Sequence, residues 1–276
     1  ETYPLDEDGK PATGLPRSGD ADKAVESTIL SMFVAHLKKG PRDENGDVTL
    51  RQQVRNDQLW CDCDFDLHGA EFHDMTDFAD CVFEKKTDFR FAKFTNISRF
   101  SGAKFTDAAN FRGAEFKVGV YFRNTDFVGA ALFSGAEFTG KAYFTKAKFE
   151  GKAVFNPLRV TEINTRSTKF LGDAIFCNAE FKGKAEFVCA EFTGKASFNE
   201  TIFRDGADFD WAEFRASAAF LGIQGQPSLG FKECKFNEIS RGAYEWGPIP
   251  IPEDNDGLPA GAVWKDFLKE DDKDGG

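Results

Sequence analysis

Phe138-Thr-Gly-Lys-Ala-Tyr-Phe144-Thr-Lys-Ala-Lys-Phe149 is one unit of a repeat that fills more than half of the chain. Its phenylalanines lie six and then five residues apart, and this spacing runs from Phe72 to Phe155 and again from Phe170 to Phe220. All 24 gaps inside these two runs alternate between six and five residues. The chain is therefore built mainly from an eleven-residue repeat, and Phe supplies 32 of its 276 residues.

The spacing excludes both an α-helix and an ordinary strand. At about 100° per residue, steps of five and six place successive Phe on roughly opposite sides of a helix. Each recurring Gly would also cost about 1 kcal/mol in a helix interior. In a continuous strand, a five-residue step moves the side chain to the other face. The pattern instead predicts short strands separated by corners, with each corner resetting the chain so that every Phe points inward.

The position two residues before each Phe carries a small side chain, as in Ala70, Thr76 and Cys81, and Val120 is the largest residue found there. One large and one small side chain for each face suits a narrow tube packed at native density. This pattern, which covers residues 70–221, resembles the pentapeptide-repeat family, whose units carry a central Phe or Leu and a small residue two positions earlier. The resemblance implies an all-β fold, a right-handed quadrilateral β-helix with four faces per coil. Because every second unit here has six residues, we expect two repeats, or about 22 residues, in each coil of the solenoid. One pair of corners should then be wider than the other.

The outward side chains just before each Phe provide a check on this register. Glu71, Lys93 and Glu115 alternate in sign at a spacing of two repeats, and so do Lys104, Asp126 and Lys148. At a strand separation of about 4.8 Å, these two series are expected to form ion pairs between coils. Each exposed pair would contribute about 0.2–1 kcal/mol.

The chain divides into three parts, an N-terminal arm and cap in 1–57, a solenoid in 58–238 and a C-terminal arm in 239–276. Between Phe155 and Phe170 the step is fifteen residues. One interpretation is a loop extruded over about 156–167, and the alternative is that Val160 takes the place of a Phe and irregular units follow. The loop is the favoured interpretation, and both remain open at this point.

Open ends of a β-helix expose unpaired strand edges and need a cover. Asp20 is suited to begin a helix over about 20–39, and Gly40 is suited to end it. This helix is expected to close the N-terminal end, and a partner-binding role is the alternative. The residues expected in the closure are Val25, Ile29, Leu30, Phe33, Val34, Leu37, Leu50, Val54, Leu59 and Trp60.

The C-terminal part is expected to hold a last degenerate coil, an extended Pro-rich arm and a short helix over 260–270. The apolar residues Val263, Trp264, Phe267 and Leu268 would share one face of that helix, which makes it a candidate docking helix. Family members that mimic DNA dimerise through C-terminal helices, so the resemblance leaves a homodimer through this helix open. The acidic residues 270–274 follow as a tail that is expected to be disordered.

The sequence lacks the motifs of common catalytic, cofactor-binding and metal-binding sites. Phosphate-loop, dinucleotide and zincin motifs are missing, and the acidic residues do not indicate a general acid–base pair. Cys61, Cys63, His68 and His73 lack the spacing of a zinc site. We therefore expect no enzyme activity, no catalytic residues, no cofactor and no metal. Whether Cys177 and Cys189 form a disulfide is left open.

Two pairs of apolar residues stand at outward positions and form the candidate partner surface. Tyr121 and Tyr143 lie two repeats apart, and Leu132 and Val154 form a second pair at the same spacing on the opposite face. Tyr is enriched in interface cores. The four residues therefore favour contact with a protein partner that the sequence does not identify.

The leading hypothesis is a non-enzymatic protein–protein interaction scaffold. Through the family resemblance, the alternative is a DNA-mimicking modulator or inhibitor of a type II topoisomerase such as gyrase, and a third hypothesis is a self-assembling structural protein. The net charge of −11 argues against direct binding to nucleic acid, which needs Lys and Arg. Residues 58–238, with 23 basic and 26 acidic side chains, are too balanced for a strongly negative mimic.

The sequence contains no apolar run long enough for a membrane span. Three of the six Cys fall at core positions, which is typical of a reduced, cytoplasmic protein. An N-terminus without Met would also fit export.

Overall fold

A computed structural model of the chain describes residues 18–38, 55, 58–159, 165–224 and 229–271, excepting the side chains of 18–26 and 270–271. The predicted Leu50 and Val54 contacts and the tail beyond 271 lie outside the described residues. The repeats form a parallel β-solenoid in which each short strand pairs with the equivalent strand two repeats away, as Phe116 does with Phe94 and Phe138. The expected fold class is confirmed.

The chain visits four faces in turn, which we number 1 to 4 in the order in which it reaches them. Faces 1 and 3 are opposite each other and are sheets of eight strands each. The strands of face 1 are Phe65–Asp66, Thr87–Asp88, Ala109–Asn110, Ala131–Leu132, Ala153–Val154, Ala185–Glu186, Ala207–Asp208 and Leu229–Gly230. The strands of face 3 are Thr76–Asp77, Ser98–Arg99, Val120–Tyr121, Ala142–Tyr143, Ala174–Ile175, Ala196–Ser197, Ala218–Ala219 and Tyr244–Glu245.

Faces 2 and 4 lie between them and contain nine and six strands. The strands of face 2 are Glu71–Phe72, Lys93–Phe94, Glu115–Phe116, Glu137–Phe138, Lys169–Phe170, Glu191–Phe192, Glu213–Phe214, Lys235–Asn237 and Val263–Lys265. The strands of face 4 are Val82–Phe83, Lys104–Phe105, Asp126–Phe127, Lys148–Phe149, Glu180–Phe181 and Ile202–Phe203.

The core is a column of stacked Phe rings. Phe133 is fully buried, and its ring lies 5.0 Å from those of both Phe111 and Phe155, nearly parallel to each. It meets Phe122 and Phe144 edge-on at 5.5 and 5.6 Å. Offset stacks and edge-on contacts are the arrangements that aromatic pairs prefer. The small residues of the repeat fill the remaining volume beside the rings, which explains why both positions are so regular in the sequence.

The corners after faces 1 and 3 are tight, and one residue in each takes a positive φ, as at Phe91 and Asn124, except where the insertion follows Phe155. Asp and Asn at the outward strand position stabilise several of these corners. The Asp88 carboxylate, for example, accepts a hydrogen bond of 2.9 Å from the backbone N–H of Arg90. The corners after faces 2 and 4 contain the extra residue, and these are the wider pair.

The segment after Phe155 forms a β-hairpin outside the ladder. On face 2, Phe138 pairs directly with Phe170, and this step is ten residues longer than two repeats, so ten residues are set aside. Leu158–Arg159 pairs antiparallel with Thr165–Arg166, and residues 160–164, with Val160, lie outside the described residues. We call this pair of strands the insertion hairpin.

The hairpin folds back onto the corner between faces 1 and 2. A Cβ added to Gly135 would lie 2.5 Å from the Cβ of Leu158, so Leu158 packs directly on this corner. The Arg166 guanidinium lies 3.2 Å from a carboxylate oxygen of Glu115 and 3.5 Å from one of Glu137. The insertion is thus held by packing and by charge.

A helix, Ser18–Leu37, lies at the N-terminal end of the solenoid. Leu37 is fully buried, and the Phe33 ring lies 4.9 Å from Phe65 and 5.6 Å from Trp60. Ile29, expected on the buried face, is exposed. Within the described part of the chain, no helix combines the length and the apolar character that crossing a membrane requires.

The C-terminal segment differs from the expected helix over 260–270. Val263–Lys265 is a strand that continues face 2, with Trp264 paired to Phe236. A 3₁₀ helix, Glu238–Ala243, precedes it, and the C-terminal helix is only Leu268–Asp271. The expectation was wrong over 263–265 because Trp264 takes the ring position of a further coil, so the chain must be extended there to complete the ladder.

The charge series of the sequence are in register, but only one of them forms an ion pair as expected. Lys93 forms an ion pair with Glu71. Lys104 and Lys148 flank Asp126 in the ladder, but neither forms an ion pair with it. Alternating sign at a spacing of two repeats fixes which strands are neighbours. It does not fix the rotamers of exposed Lys side chains, and their conformational entropy opposes pairing.

Candidate partner surface

Tyr121 and Tyr143 are adjacent on face 3, and their rings are stacked. The ring centroids are 4.9 Å apart and the planes differ by 5°. The Arg123 guanidinium lies 4.3 Å from the Tyr143 centroid and 5.1 Å from that of Tyr121. Both rings are partly exposed. The sequence predicted the two tyrosines of this cluster but not Arg123, because the position of Arg123 over the rings depends on its rotamer.

On the strands of face 3 that follow the tyrosines in chain order, the outward side chains are also uncharged. The outward residues paired in succession are Tyr121, Tyr143, Ile175, Ser197 and Ala219. Arg99 bounds this run at one end and Glu245 at the other. We call these five residues the neutral strip. Sequence reasoning missed Ile175 because the insertion lengthens the step from Tyr143, and the regular spacing would have pointed to Thr165 instead.

Face 2 is the opposite case, because its charges are neutralised within the face. Lys117 lies 2.9 Å from Glu115 and 3.4 Å from Glu137, and Arg166 of the insertion hairpin contacts the same two carboxylates. Burial raises the pKa of Glu115, but hydrogen bonds from Lys117 and Arg166 outweigh this and leave the pKa below its usual value. The Glu115 carboxylate is therefore ionised and paired at neutral pH.

The second pair of predicted surface residues offers little area. Leu132 and Val154 are adjacent on face 1, as the spacing predicted. Val154, however, is only 8% exposed. The next two outward residues of that face, Glu186 and Asp208, bear charges paired with Lys152 and Lys184. Face 1 therefore lacks the continuous uncharged surface of face 3.

The residues of the predicted docking helix, Val263, Trp264, Phe267 and Leu268, do not share a helix face. Val263 and Trp264 lie in the strand, and the Trp264 indole N–H donates to the Asp256 carbonyl at 2.9 Å. Phe267 is buried between the cationic groups of Arg215 and Lys265, at 4.9 and 5.1 Å from its ring centroid.

Leu268 alone of this group begins the C-terminal helix, and it is 65% exposed. Trp264 and Phe267 are instead used in closing the C-terminal end of the solenoid.

The cysteines and histidines do not converge on a site. All six cysteines are free thiols, and Cys177 and Cys189 stand at opposite corners of the solenoid, after faces 3 and 1. Among the described residues, no three His, Cys, Asp or Glu side chains are grouped as metal ligands would be.

The profile described as pentapeptide repeats (9 copies) matches residues 89–137 and 100–147. The resemblance to the pentapeptide-repeat family that the spacing indicated is confirmed over residues 89–147. Comparison with curated proteins gives no match.

Among the solved structures that resemble the chain, two are of QnrB1, described as a plasmid-mediated fluoroquinolone resistance protein. The trypsin-treated variant is 13% identical over 75% of this chain and 90% of its own, with a TM-score of 0.31. The full-length form is 14% identical over 75% of this chain and 95% of its own, with a TM-score of 0.22.

Proposed function

We propose that this pentapeptide-repeat protein is a non-enzymatic interaction scaffold that docks a protein partner on face 3. The observation that carries the proposal is the neutral strip, which runs over five successive strands of a parallel ladder. Each strand within such a ladder is hydrogen-bonded to the strands on both sides, so the strip is a rigid surface. Rigid, uncharged surfaces with half-exposed Tyr are suited to protein contact.

The local structure does not explain why the neutral strip has Tyr and Ile at its outward positions. At the equivalent outward positions of faces 1 and 3, the side chains of Asp77, Asp88 and Asp208 accept hydrogen bonds from the backbone two residues on and so support the corner. Such a bond contributes about 0.5–1.5 kcal/mol. Tyr and Ile cannot make it, which supports a role for the strip outside the fold.

The charge pattern favours the scaffold over the DNA-mimicking alternative. A mimic of the duplex needs a dense row of uncompensated acids. On face 2, Glu71, Glu191 and Glu213 each contact a Lys of a neighbouring strand. In a supercoiling assay with purified gyrase, we therefore expect no inhibition even with the protein in excess. Inhibition at micromolar protein would replace the scaffold with the mimic.

The closed ends favour the scaffold over self-assembly. The N-terminal helix packs on the first coil, and Trp246 and Trp264 pack against Phe236 and Tyr244 at the other end. In the described part of the chain, packed side chains thus cover both ends of the solenoid. Removing residues 1–57 is expected to promote polymerisation, which light scattering would detect.

The proposal is tested by comparing what three immobilised proteins retain from a native lysate. These are the wild type, the double variant Tyr121→Ser/Tyr143→Ser, and the control Val82→Ser/Ile202→Ser. The control also removes two outward apolar side chains, but from face 4. We expect a protein bound near stoichiometrically by wild type and control and reduced about tenfold on the face 3 variant. Equal retention by all three folded proteins would contradict the proposal.

A further inference from the structure

The neutral strip has the dimensions of a short extended peptide. Its five outward residues span four strand separations of about 4.8 Å, or roughly 19 Å along the solenoid axis. At about 3.3 Å per residue, an extended chain covers that length with about six residues. A stable interface between two copies of this chain would need about 800 Å² on each partner, which is far more than a strip one residue wide and roughly 19 Å long offers. The strip therefore fits a linear segment better than a second solenoid.

The strip offers side chains and no strand edge. The backbone of face 3 is paired on both sides at each step, as where Phe122 donates to the Tyr143 carbonyl and Phe100 donates to the Tyr121 carbonyl. A segment lying on it cannot add to the sheet as it would at an exposed edge. Recognition must come from the rings of Tyr121 and Tyr143, the Ile175 side chain and whatever charge flanks them.

The side of the strip toward face 4 has four exposed basic side chains near the tyrosines. Arg123 and Lys146 are exposed at the corner between faces 3 and 4, and Lys104 and Lys148 point outward from face 4. None of these four cations lies in an ion pair with a described residue, whereas Asp126 is the single acid in register between Lys104 and Lys148. We call the four cations the basic edge.

On the opposite side of the strip, the lysine next to Tyr143 is neutralised. At the same level, Lys141 lies 3.0 Å from Asp173, and this hydrogen bond lowers the pKa of the Asp173 carboxyl. The asymmetry gives the surface a direction, with apolar contact in the middle and attraction for anions along one side.

Building on the proposed docking role of face 3, we propose that the neutral strip and the basic edge bind an extended, acidic segment of a partner protein. Its apolar side chains contact Tyr121, Tyr143 and Ile175, and its carboxylates contact Arg123 and Lys146. The Arg123 guanidinium already lies against Tyr143, so it is oriented before binding and loses little freedom on accepting a carboxylate. The net charge of −11 would select basic peptides through the overall field. Recovery of acidic peptides would therefore show that the local surface, and not the net charge of the protein, determines binding.

The test is a display selection of random decapeptides on the full-length protein, with counter-selection on Tyr121→Ser/Tyr143→Ser. We expect the recovered peptides to be rich in Asp, Glu and apolar residues and poor in Lys and Arg. The affinity of a recovered peptide is then measured by fluorescence anisotropy. Arg123→Gln/Lys146→Gln is expected to weaken it about three- to tenfold, and raising the salt concentration is expected to weaken it as well.

Lys85→Gln/Lys86→Gln is the matched control, because it removes the same charge from exposed lysines elsewhere on the solenoid. It should leave the affinity unchanged. Basic recovered peptides, no enrichment over the counter-selection, or equal weakening by both double variants would each overturn the proposal. If lysate capture still depended on the tyrosines in those cases, the docking role of face 3 would stand and only the acidic extended segment would fail.

Discussion

Replacing Gly135 with Ala tests how the insertion hairpin is held against the solenoid. Gly135 has a φ of 67°, and a Cβ there would lie 2.5 Å from the Leu158 Cβ and 3.1 Å from the Arg166 carbonyl oxygen. Gly69 occupies the same corner three coils earlier with a φ of 68°, and a Cβ there would meet nothing within 4 Å. Both Gly→Ala variants strain the backbone by about 1 kcal/mol. Only Gly135→Ala also crowds the hairpin, which typically costs about 1–3 kcal/mol.

We therefore expect Gly135→Ala to be about 1–3 kcal/mol less stable than Gly69→Ala in urea denaturation. This corresponds to a difference in Tm of roughly 2–4 °C for each kcal/mol. Limited trypsin digestion gives a local readout, because a displaced hairpin should be cut after Arg159 or Arg166 sooner in Gly135→Ala. Equal stability and equal cleavage of the two variants would refute the packing of Leu158 on this corner.

Three further predictions concern the core, the thiols and the pH dependence. Phe133→Ala should cost about 3–5 kcal/mol in urea denaturation, because removing the fully buried ring leaves a cavity between the stacked rings of Phe111 and Phe155. Phe133→Leu should cost clearly less, and an equal cost would contradict the cavity argument. Iodoacetamide should label the exposed Cys63 first, since burial raises the pKa of Cys81 to about 12 and raises that of Cys234 as well. Mass spectrometry should find Cys81 and Cys234 unmodified before denaturation, and early modification of either would contradict this. Burial raises the pKa of Glu213, but hydrogen bonds from Lys235 and Arg215 outweigh this and leave it below the usual value. The carboxylate therefore stabilises the fold above its unfolded-state pKa, and this contribution is lost as the pH falls through the lower folded-state pKa. Glu213→Gln should lower the urea midpoint at pH 7 and reduce its fall on acidification, and an unchanged fall would remove Glu213 from the account.

The solenoid could be predicted from the sequence because its interior leaves the chain little choice. A Phe ring and a small side chain must alternate in a tube this narrow. The spacing of Phe133 and its neighbours was therefore enough to predict the fold and the register of the strands. The end of the solenoid lacks that regularity. Val263, Trp264, Phe267 and Leu268 are spaced as on one helix face, and short apolar runs of this kind do not distinguish a helix from a strand.

The candidate surface was predicted only in part, for a different reason. Tyr121 and Tyr143 are separated by the regular spacing and could be paired by counting. Ile175 becomes their neighbour only when the ten residues of the insertion are removed from the count. The place of Arg123 over the rings depends on side-chain conformation, which repeat spacing does not encode.

The two kinds of corner determine how such a chain can change its length by duplication. One repeat carries the chain across one tight and one wide corner, so gain or loss of a single repeat would preserve the core but turn everything downstream by half a coil. Ile175 and Ser197 would then leave the tyrosines and continue on the side of Leu132 and Val154. A duplication of two repeats would instead extend the rod by about 4.8 Å and keep every outward residue in its column. Growth in whole coils is thus the route that lengthens the protein while keeping the neutral strip on one face.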